Sequence, residues 1–326
     1  MLLFVMILEI RFNKMKVDER HICQIIQSVV HKKVYLHPVG NHHLERHFVY
    51  HIFDDQGFQA IFKLYMKKNR WNREVAALKL LEHSDVKCPK LLGCGILDND
   101  TEWLMIEYLD GKAFDQVEEQ VSEEDKRIIY EEMGRELGKI HQYKAFDFFG
   151  NWNEIGSSVE NIKDYETYFT AHMQTVFDEI NKQELKEKEL LKAAVKKLKQ
   201  DYHLLTEVKT AHLCHNDFSE RNVLVTRLEA GWRLAAVIDF EQSMPSDKDR
   251  DLVYIRNILC CKDKDYEAAF IKGYQTICPI EEGYQKKKEF YQLYIGLYIC
   301  SWAAKQAPDH YQEGIEILKR VMKVTE

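Results

Sequence analysis

The sequence predicts an α+β chain with its strands gathered in the first third and its helices filling the rest. Three observations carry this. Apolar runs rich in β-branched and aromatic residues recur at 33–37, 47–53, 58–65, 92–97 and 102–108, separated by turn residues. From residue 122 onward the apolar spacing changes to that of helices. Within the helical part, one apolar run breaks into the polar turn His215-Asn216-Asp217 and is followed by two short strands, 223–225 and 234–238.

The composition is that of a soluble globular chain: 326 residues, 45 % hydrophobic and 30 % charged, enough to bury a large core. The net charge of −7 gives no reason to expect nucleic acid and is compatible with a cationic partner. The eight cysteines (23, 88, 94, 214, 260, 261, 278 and 300) are scattered, form no CxxC pair and follow no secretory signal, which reads as reduced cysteines of a cytoplasmic protein. The opening MLLFVMIL is apolar, but a membrane span needs about 20 such residues. It also lacks the basic flank of a signal peptide. We expect residues 1–14 to be an extension outside the fold or a loosely attached strand, and no membrane association.

Asp18 is positioned to cap a first helix with Ile22, Ile25, Ile26, Val29 and Val30 on one face. The first two strands are joined by a loop, 38–43, that holds a single glycine, Gly40. His42, His43, His47 and His51 cluster here, but their alternating positions and the lack of a nearby cysteine favour surface histidines over a metal site. Alternation in the third strand puts Lys63 on one face with Ile61 and Tyr65. On the next helix Glu74 falls in the apolar stripe of Trp71, Val75, Leu78 and Leu81, where a carboxylate is costly unless paired. Lys63 is its expected partner. The fifth strand runs into Glu107-Tyr108-Leu109-Asp110-Gly111. Ser122 and Asp125 form a capping pair for a helix ending at His141, which reads as a satisfied core histidine. Two helices fill about 160–206, the second a solvated Lys/Glu-rich one. Tyr291, Tyr294, Tyr298 and Trp302 lie near one stripe of a late helix, which would either pack in the core or box a quaternary ammonium.

The polar turn carries the chemistry. A bend centred between Ala230 and Gly231 would pair residues whose numbers sum to 461, setting Asn222 opposite Asp239. An amide oxygen and a carboxylate would then meet near Asp217. Mg²⁺ is held by one or two such oxygens, its shell completed by water and phosphates, while a nearby free carboxylate can accept a hydroxyl proton. That combination suggests phosphoryl transfer.

The series His215-x-Asp217-x4-Asn222, Ile238-Asp239-Phe240 and Asp251-Leu252 resembles the catalytic core of the aminoglycoside phosphotransferase and choline kinase superfamily. Asn216 stands where protein kinases have arginine, which argues against control by an activation loop. The resemblance implies a two-lobed protein-kinase-like fold, with a small antiparallel-sheet, nucleotide-binding N-lobe at 15–109 and a mostly helical C-lobe at 110–326. It implies Asp217 as the catalytic base, Asn222 and Asp239 as Mg²⁺ ligands, and His215 and Asp251 as braces of the loop. Lys63, positioned by Glu74, would hold the phosphates of ATP or GTP, Gly40 would lie over them, and Glu107 and Leu109 would meet the base. An aminoglycoside-like acceptor is favoured, with choline, ethanolamine or a sugar as the alternative, and Ser219, Glu220, Glu241, Tyr298 and Trp302 as acceptor contacts. The nearby acids Asp247 and Asp249 could likewise bind a polyamine sugar or be solvated loop charges. A catalytically idle nucleotide-binding module is the reading from another class.

Overall fold

The computed structural model describes residues 19–40, 47–97 and 100–323. The extension 1–14, His42, His43, Asp18 and the turn pair Asp98-Asn99 lie outside them. The chain divides into two compact units, one of Met1–Trp71 with Pro89–Leu109, the other of Asn72–Cys88 with Asp110–Glu326.

In the first unit, α1 (Glu19–Val30) precedes β1 (Tyr35–Val39), β2 (His47–Phe53) and β3 (Gln59–Tyr65), and the unit is completed by β4 (Leu91–Ile96) and β5 (Glu102–Glu107). The strands form one antiparallel sheet in the order β1-β2-β3-β5-β4. Asp54 closes the β2–β3 turn, its Oδ1 accepting the amides of Gln56 and Phe58 at 2.9 Å each. Even-numbered residues of β2 and β3 (Phe48, Tyr50, Ile52, Ala60, Phe62 and Leu64) pack with Ile22 and Ile26 of α1. The two-residue period therefore sends Lys63 to the opposite face, where only 4 % of it is exposed and its Nζ lies 5.1 Å from the Tyr65 ring centre. Glu107 locks the end of the sheet: its amide donates to the Lys90 carbonyl at 2.9 Å, and its carboxylate accepts the Lys90 amide at 3.3 Å.

The second unit begins at Asn72 within α2 (Trp71–Leu81), a helix that the sequence pattern groups with the strands. Its polar contacts explain the difference. Arg73 Nε donates to Asn151 at 2.9 Å and Lys79 to the Glu154 carbonyl at 3.3 Å, while in the following turn the Lys87 amide meets the buried Glu136 carboxylate at 2.8 Å. Then come β6 (Lys112–Ala113), α3 (Phe114–Val117) and α4 (Glu123–Tyr143), the last capped by Ser122, whose hydroxyl accepts the Asp125 amide at 3.2 Å. They are followed by β7 (Ala145–Phe146), α5 (Tyr165–Asn181), α6 (Lys188–Gln200) and β8 (Ala211–Cys214). The hairpin β9 (Val223–Leu228) and β10 (Gly231–Val237) and the short β11 (Met244–Ser246) precede α7 (Lys248–Lys262), α8 (Lys264–Gln275), α9 (Tyr284–Gln306) and α10 (Pro308–Met322). Two three-stranded sheets, β10-β9-β6 and β11-β8-β7, are set among these helices.

The hairpin register differs from the one expected. Leu228 pairs with Gly231 across a two-residue turn, and an irregularity between Leu234 and Ala236 shifts the base of the hairpin by one residue. The Ile238 amide then donates to the Asn222 carbonyl at 2.9 Å, so Asn222 faces Ile238 and not Asp239. The turn sits one residue nearer the N-terminus than expected, and the bulge recovers part of the offset.

α4 and α8 approach so closely that a Cβ at Gly134 would lie 2.0 Å from the Phe270 carbonyl oxygen, and one at Gly273 would lie 1.9 Å from that of Glu131. Gly134→Ala should therefore destabilise the protein by about 3 kcal/mol, in the range of overpacked cores. Urea unfolding checks this: an unchanged midpoint would mean that the helices can part without cost.

Candidate active site

The turn after β8 is fixed from beneath by one carboxylate. Asp251, 1 % exposed in the first turn of α7, accepts the His215 amide at 2.6 Å, the Asn216 amide at 3.0 Å and His141 Nε2 at 3.2 Å. His141 ends α4 fully buried, with the Tyr274 hydroxyl 2.8 Å from its Nδ1. Burial alone would raise the Asp251 carboxyl, but hydrogen bonding and charge from His141, with His215 behind it, hold it below the ordinary range. Asn216 takes the left-handed conformation, φ +62, which Asn tolerates better than most residues. The buried His215 ring spans the turn, its Nε2 3.0 Å from the Ile238 carbonyl and its Nδ1 accepting the Asp217 amide at 3.3 Å.

Asp217 is surrounded by long, weak contacts. Tyr254 donates to Oδ1 at 3.4 Å, Arg221 Nη2 lies 3.6 Å from Oδ1, and Asn222 Nδ2 reaches Oδ2 at 3.3 Å while bonding the Asp217 carbonyl at 2.8 Å. The side chain keeps 30 % of its exposure, yet the crowding of protein around it raises the carboxyl above the ordinary range, against the charge of Arg221 and assisted by that of Asp239. Asp239 is also left-handed, φ +66, which turns the chain away from β10 and toward the site. Its carboxylate lies with those of Glu74 and Glu241, one oxygen of each within 4.8 Å of the others. Such a set of hard oxygen donors fits Mg²⁺.

Other sequence candidates fall in different places. Glu220 is 5 % exposed, accepts from Tyr130 at 3.2 Å and pairs with Lys262 at 3.2 Å, which engages it in the helical core. Glu241, likewise expected at the acceptor, joins the Asp239 group. Trp302 lies against His310 at 6.0 Å between ring centres, on the α10 side of α9 and off the Tyr294–Tyr298 stripe. Asp247 and Asp249 are neither solvated nor open: both are 4 % exposed and share Lys287, at 2.7 and 2.6 Å. Ser219 is 3 % exposed beside Asp217 in sequence, and Tyr298 is half-buried, stacked on Tyr294 at 5.9 Å. In the first unit Lys63 is buried, Gly40 has φ +78 and Leu109 is half-buried after β5. Tyr254, Arg221 and Arg250 are absent from the sequence candidates; Tyr254 is discoverable as the residue one helical turn beyond Arg250, on the helix that carries Asp251. A cavity of about 920 Å³ lies along α5 and α6 and is lined by none of these groups.

The sequence model of the phosphotransferase enzyme family matches residues 45–290. A search of curated protein sequences gives no match. Among solved structures, a thermostable mutant of aminoglycoside phosphotransferase APH(4)-Ia in ternary complex with AMP-PNP and hygromycin B is similar at a TM-score of 0.68, with 16 % identity over 93 % of this chain and 99 % of that one. The GDP complex of wild-type aminoglycoside 2'-phosphotransferase-IIIa gives 0.64, with 16 % identity over 93 % of this chain and 98 % of that one. The α+β, protein-kinase-like fold expected from the sequence is the fold observed. Among the described residues no helix is long and apolar enough to cross a membrane.

Asp251→Ala should remove a paired buried charge and leave two amides and His141 without their acceptor, costing roughly 3–5 kcal/mol. Because its folded-state value is depressed, this stabilisation should hold at neutral pH and fade as the medium is acidified below its ordinary 3.8. Melting curves of both proteins against pH test it: a gap that widens on acidification would contradict the assignment.

Proposed function

The chain belongs to the phosphotransferase enzyme family, and from that premise we propose that this small-molecule kinase uses Asp217 as the proton acceptor and a nucleoside triphosphate as the donor. The observation that carries the reading is the turn on a buried support that holds Asp217 beside Asn222, with Asp239, at the end of the hairpin, close enough for its charge to act on Asp217. ATP is the favoured donor and GTP the alternative; AMP-PNP and GDP are the nucleotides described for the two similar structures. Lys63 would hold the phosphates, with Gly40 above them and the backbone of Glu107 and Leu109 at the base. Asp239 and Asn222, joined by Glu241, would hold Mg²⁺, which when bound neutralises phosphate charge.

In the transfer itself, the acceptor oxygen bonds to the γ-phosphorus as the bond to the β–γ bridging oxygen breaks, and the hydroxyl proton passes to Asp217. The transition state is largely dissociative, so alignment and charge neutralisation matter more than the strength of the base. Weak partners suit a proton acceptor of this kind, since Asp217 is not locked by short hydrogen bonds. His215 and Asp251 act through the backbone, holding the turn in place. A catalytically idle module would lack the base or a metal ligand, and neither is missing from this sequence.

A coupled ADP- or GDP-release assay tests the reading, run with MgATP and with MgGTP against aminoglycosides, choline, ethanolamine and sugars. Asp217→Asn should lower turnover about 10²–10⁴-fold while sparing nucleotide affinity. The raised carboxyl value means that the folded state binds this proton more readily than the unfolded one. Ionised Asp217 therefore costs stability, and Asp217→Asn should melt higher than the parent at pH 7. The acid limb of kcat/KM should likewise fall above the ordinary aspartate value of 3.8. Full activity in Asp217→Asn would refute the base assignment, and a wild-type protein that binds no nucleotide would refute the kinase reading.

A further inference from the structure

Three helices of the second unit each turn a pair of residues, spaced by four, toward one another near Asp217. α7 supplies Arg250 and Tyr254, α9 supplies Tyr294 and Tyr298, and α5 supplies Tyr168 and His172. Contacts join the three helices, α7 to α9 through Arg250 and α9 to α5 through Tyr294 and His172. Tyr254 reaches Asp217 at 3.4 Å, Tyr298 stacks on Tyr294 at 5.9 Å, and the Tyr294 hydroxyl lies 3.1 Å from His172 Nε2. His172 in turn stacks on Tyr168 at 6.4 Å, and the Arg250 guanidinium lies over the Tyr294 ring at 5.1 Å. Five of the six are half-buried and only Tyr294 is buried, as expected for the wall of a cleft.

The charge in this wall is unusual. Burial, aided by the positive charges of Arg250 and Arg73, pushes His172 down to about 3, so the imidazole is neutral at physiological pH. Arg250 is then the one charged member of the six. It forms no ion pair among the described residues, and its buried Nη1 has no hydrogen-bond partner. A guanidinium carries five donors in a planar fork, and leaving a buried one of them unpaired is costly. The acids that the sequence offered to a polycationic acceptor meanwhile lie elsewhere among the described residues. Glu220 is taken by Lys262, Asp247 and Asp249 by Lys287, and Glu241 lies with Asp239.

We propose that the acceptor is an alcohol bearing an oxyanion, a carboxylate or a phosphate, bound by Arg250 with its hydroxyl presented to Asp217. The proposal rests on the reading of Asp217 as the proton acceptor and replaces the expected cationic acceptor with an anionic one. Arg250 and Tyr254 are neighbours on one helical face, about 5–6 Å apart at Cβ, so the anionic group and the reacting hydroxyl need only a few bonds between them. The tyrosine faces would cover the body of such a molecule, and the guanidinium fork would grip two oxygens at once.

The test uses the full chain with MgATP and matched alcohols that differ in the anion: glycerate against glycerol, gluconate against sorbitol, and glucose 6-phosphate against glucose. Kanamycin and ethanolamine represent cations. The anionic member of at least one pair should give a kcat/KM at least tenfold above its neutral counterpart. Arg250→Gln should erase that preference by weakening the anion alone, and Arg250→Lys should keep part of it, a point charge without the fork. The first and second pairs against the third separate a carboxylate from a phosphate. Preference for the cations, or no discrimination in any pair while MgATP binding is intact, overturns the proposal and leaves the phosphotransferase reading standing. Absence of MgATP binding to the wild-type protein marks failure of that reading instead. The wild-type pairs decide the matter even if Arg250→Gln fails to fold.

Discussion

The Asp251 carboxylate is the contact on which the second unit's site depends. Two consecutive backbone amides and one imidazole converge on it, at 2.6, 3.0 and 3.2 Å, in a place where only 1 % of the residue is exposed. An ionised group there is tolerated only because its oxygens are satisfied. The donors come from different parts of the fold. The amides belong to a turn that contains the left-handed Asn216; the imidazole belongs to the end of α4 and is itself fixed by Tyr274 of α8. The close glycine packing of α4 on α8 thus reaches the Asp217 turn through His141. Removing the carboxylate would leave the turn without a reason for its conformation.

Asp251 and Asp217 show how two carboxylates close together in one fold are given different roles. The first accepts short, charge-assisted bonds and is held below its usual range; the second meets only contacts of 3.3 Å or longer and is raised. Environment, not residue type, separates a structural anion from the proposed proton acceptor. The two are coupled mechanically, because α7 carries Asp251 at one position and Tyr254, which touches Asp217, one turn later. A shift of α7 would move both.

Much of this was legible in the sequence, and the rest was hidden for identifiable reasons. The strand at 47–53, the Ser122 cap and the core role of His141 follow from local rules of alternation, capping and periodicity. The polar turn was legible because so many hydrogen-bonding groups on apolar strand ends demand partners. The hairpin register was not, since the irregularity between Leu234 and Ala236 and the turn Glu229-Ala230 leave no mark in the pattern of residue types. Nor could the fate of the acids be read: Glu220 meets Lys262 forty-two residues on, and Asp247 meets Lys287 forty residues on. Local sequence shows that a charge exists but not which distant helix neutralises it. Arg250 suffered most from this, embedded in the run Asp247-Lys248-Asp249-Arg250-Asp251, where it looks like one charge among many.

That run gains meaning only when each charge is followed to its partner. Asp247 and Asp249 turn to Lys287, Lys248 turns to Glu281 at 2.9 Å, and Asp251 turns to the catalytic turn. Five successive charges therefore leave one, and the helical period places it on the same face as Tyr254. The remaining wall is built from tyrosines and a neutral histidine on three helices, not on loops, so its shape is set by the same packing that fixes the turn. Such a wall holds its positive charge ready before any ligand arrives. Whatever binds there meets a rigid, aromatic surface with one fork of donors, and an oxyanion is the group that answers it with the least rearrangement.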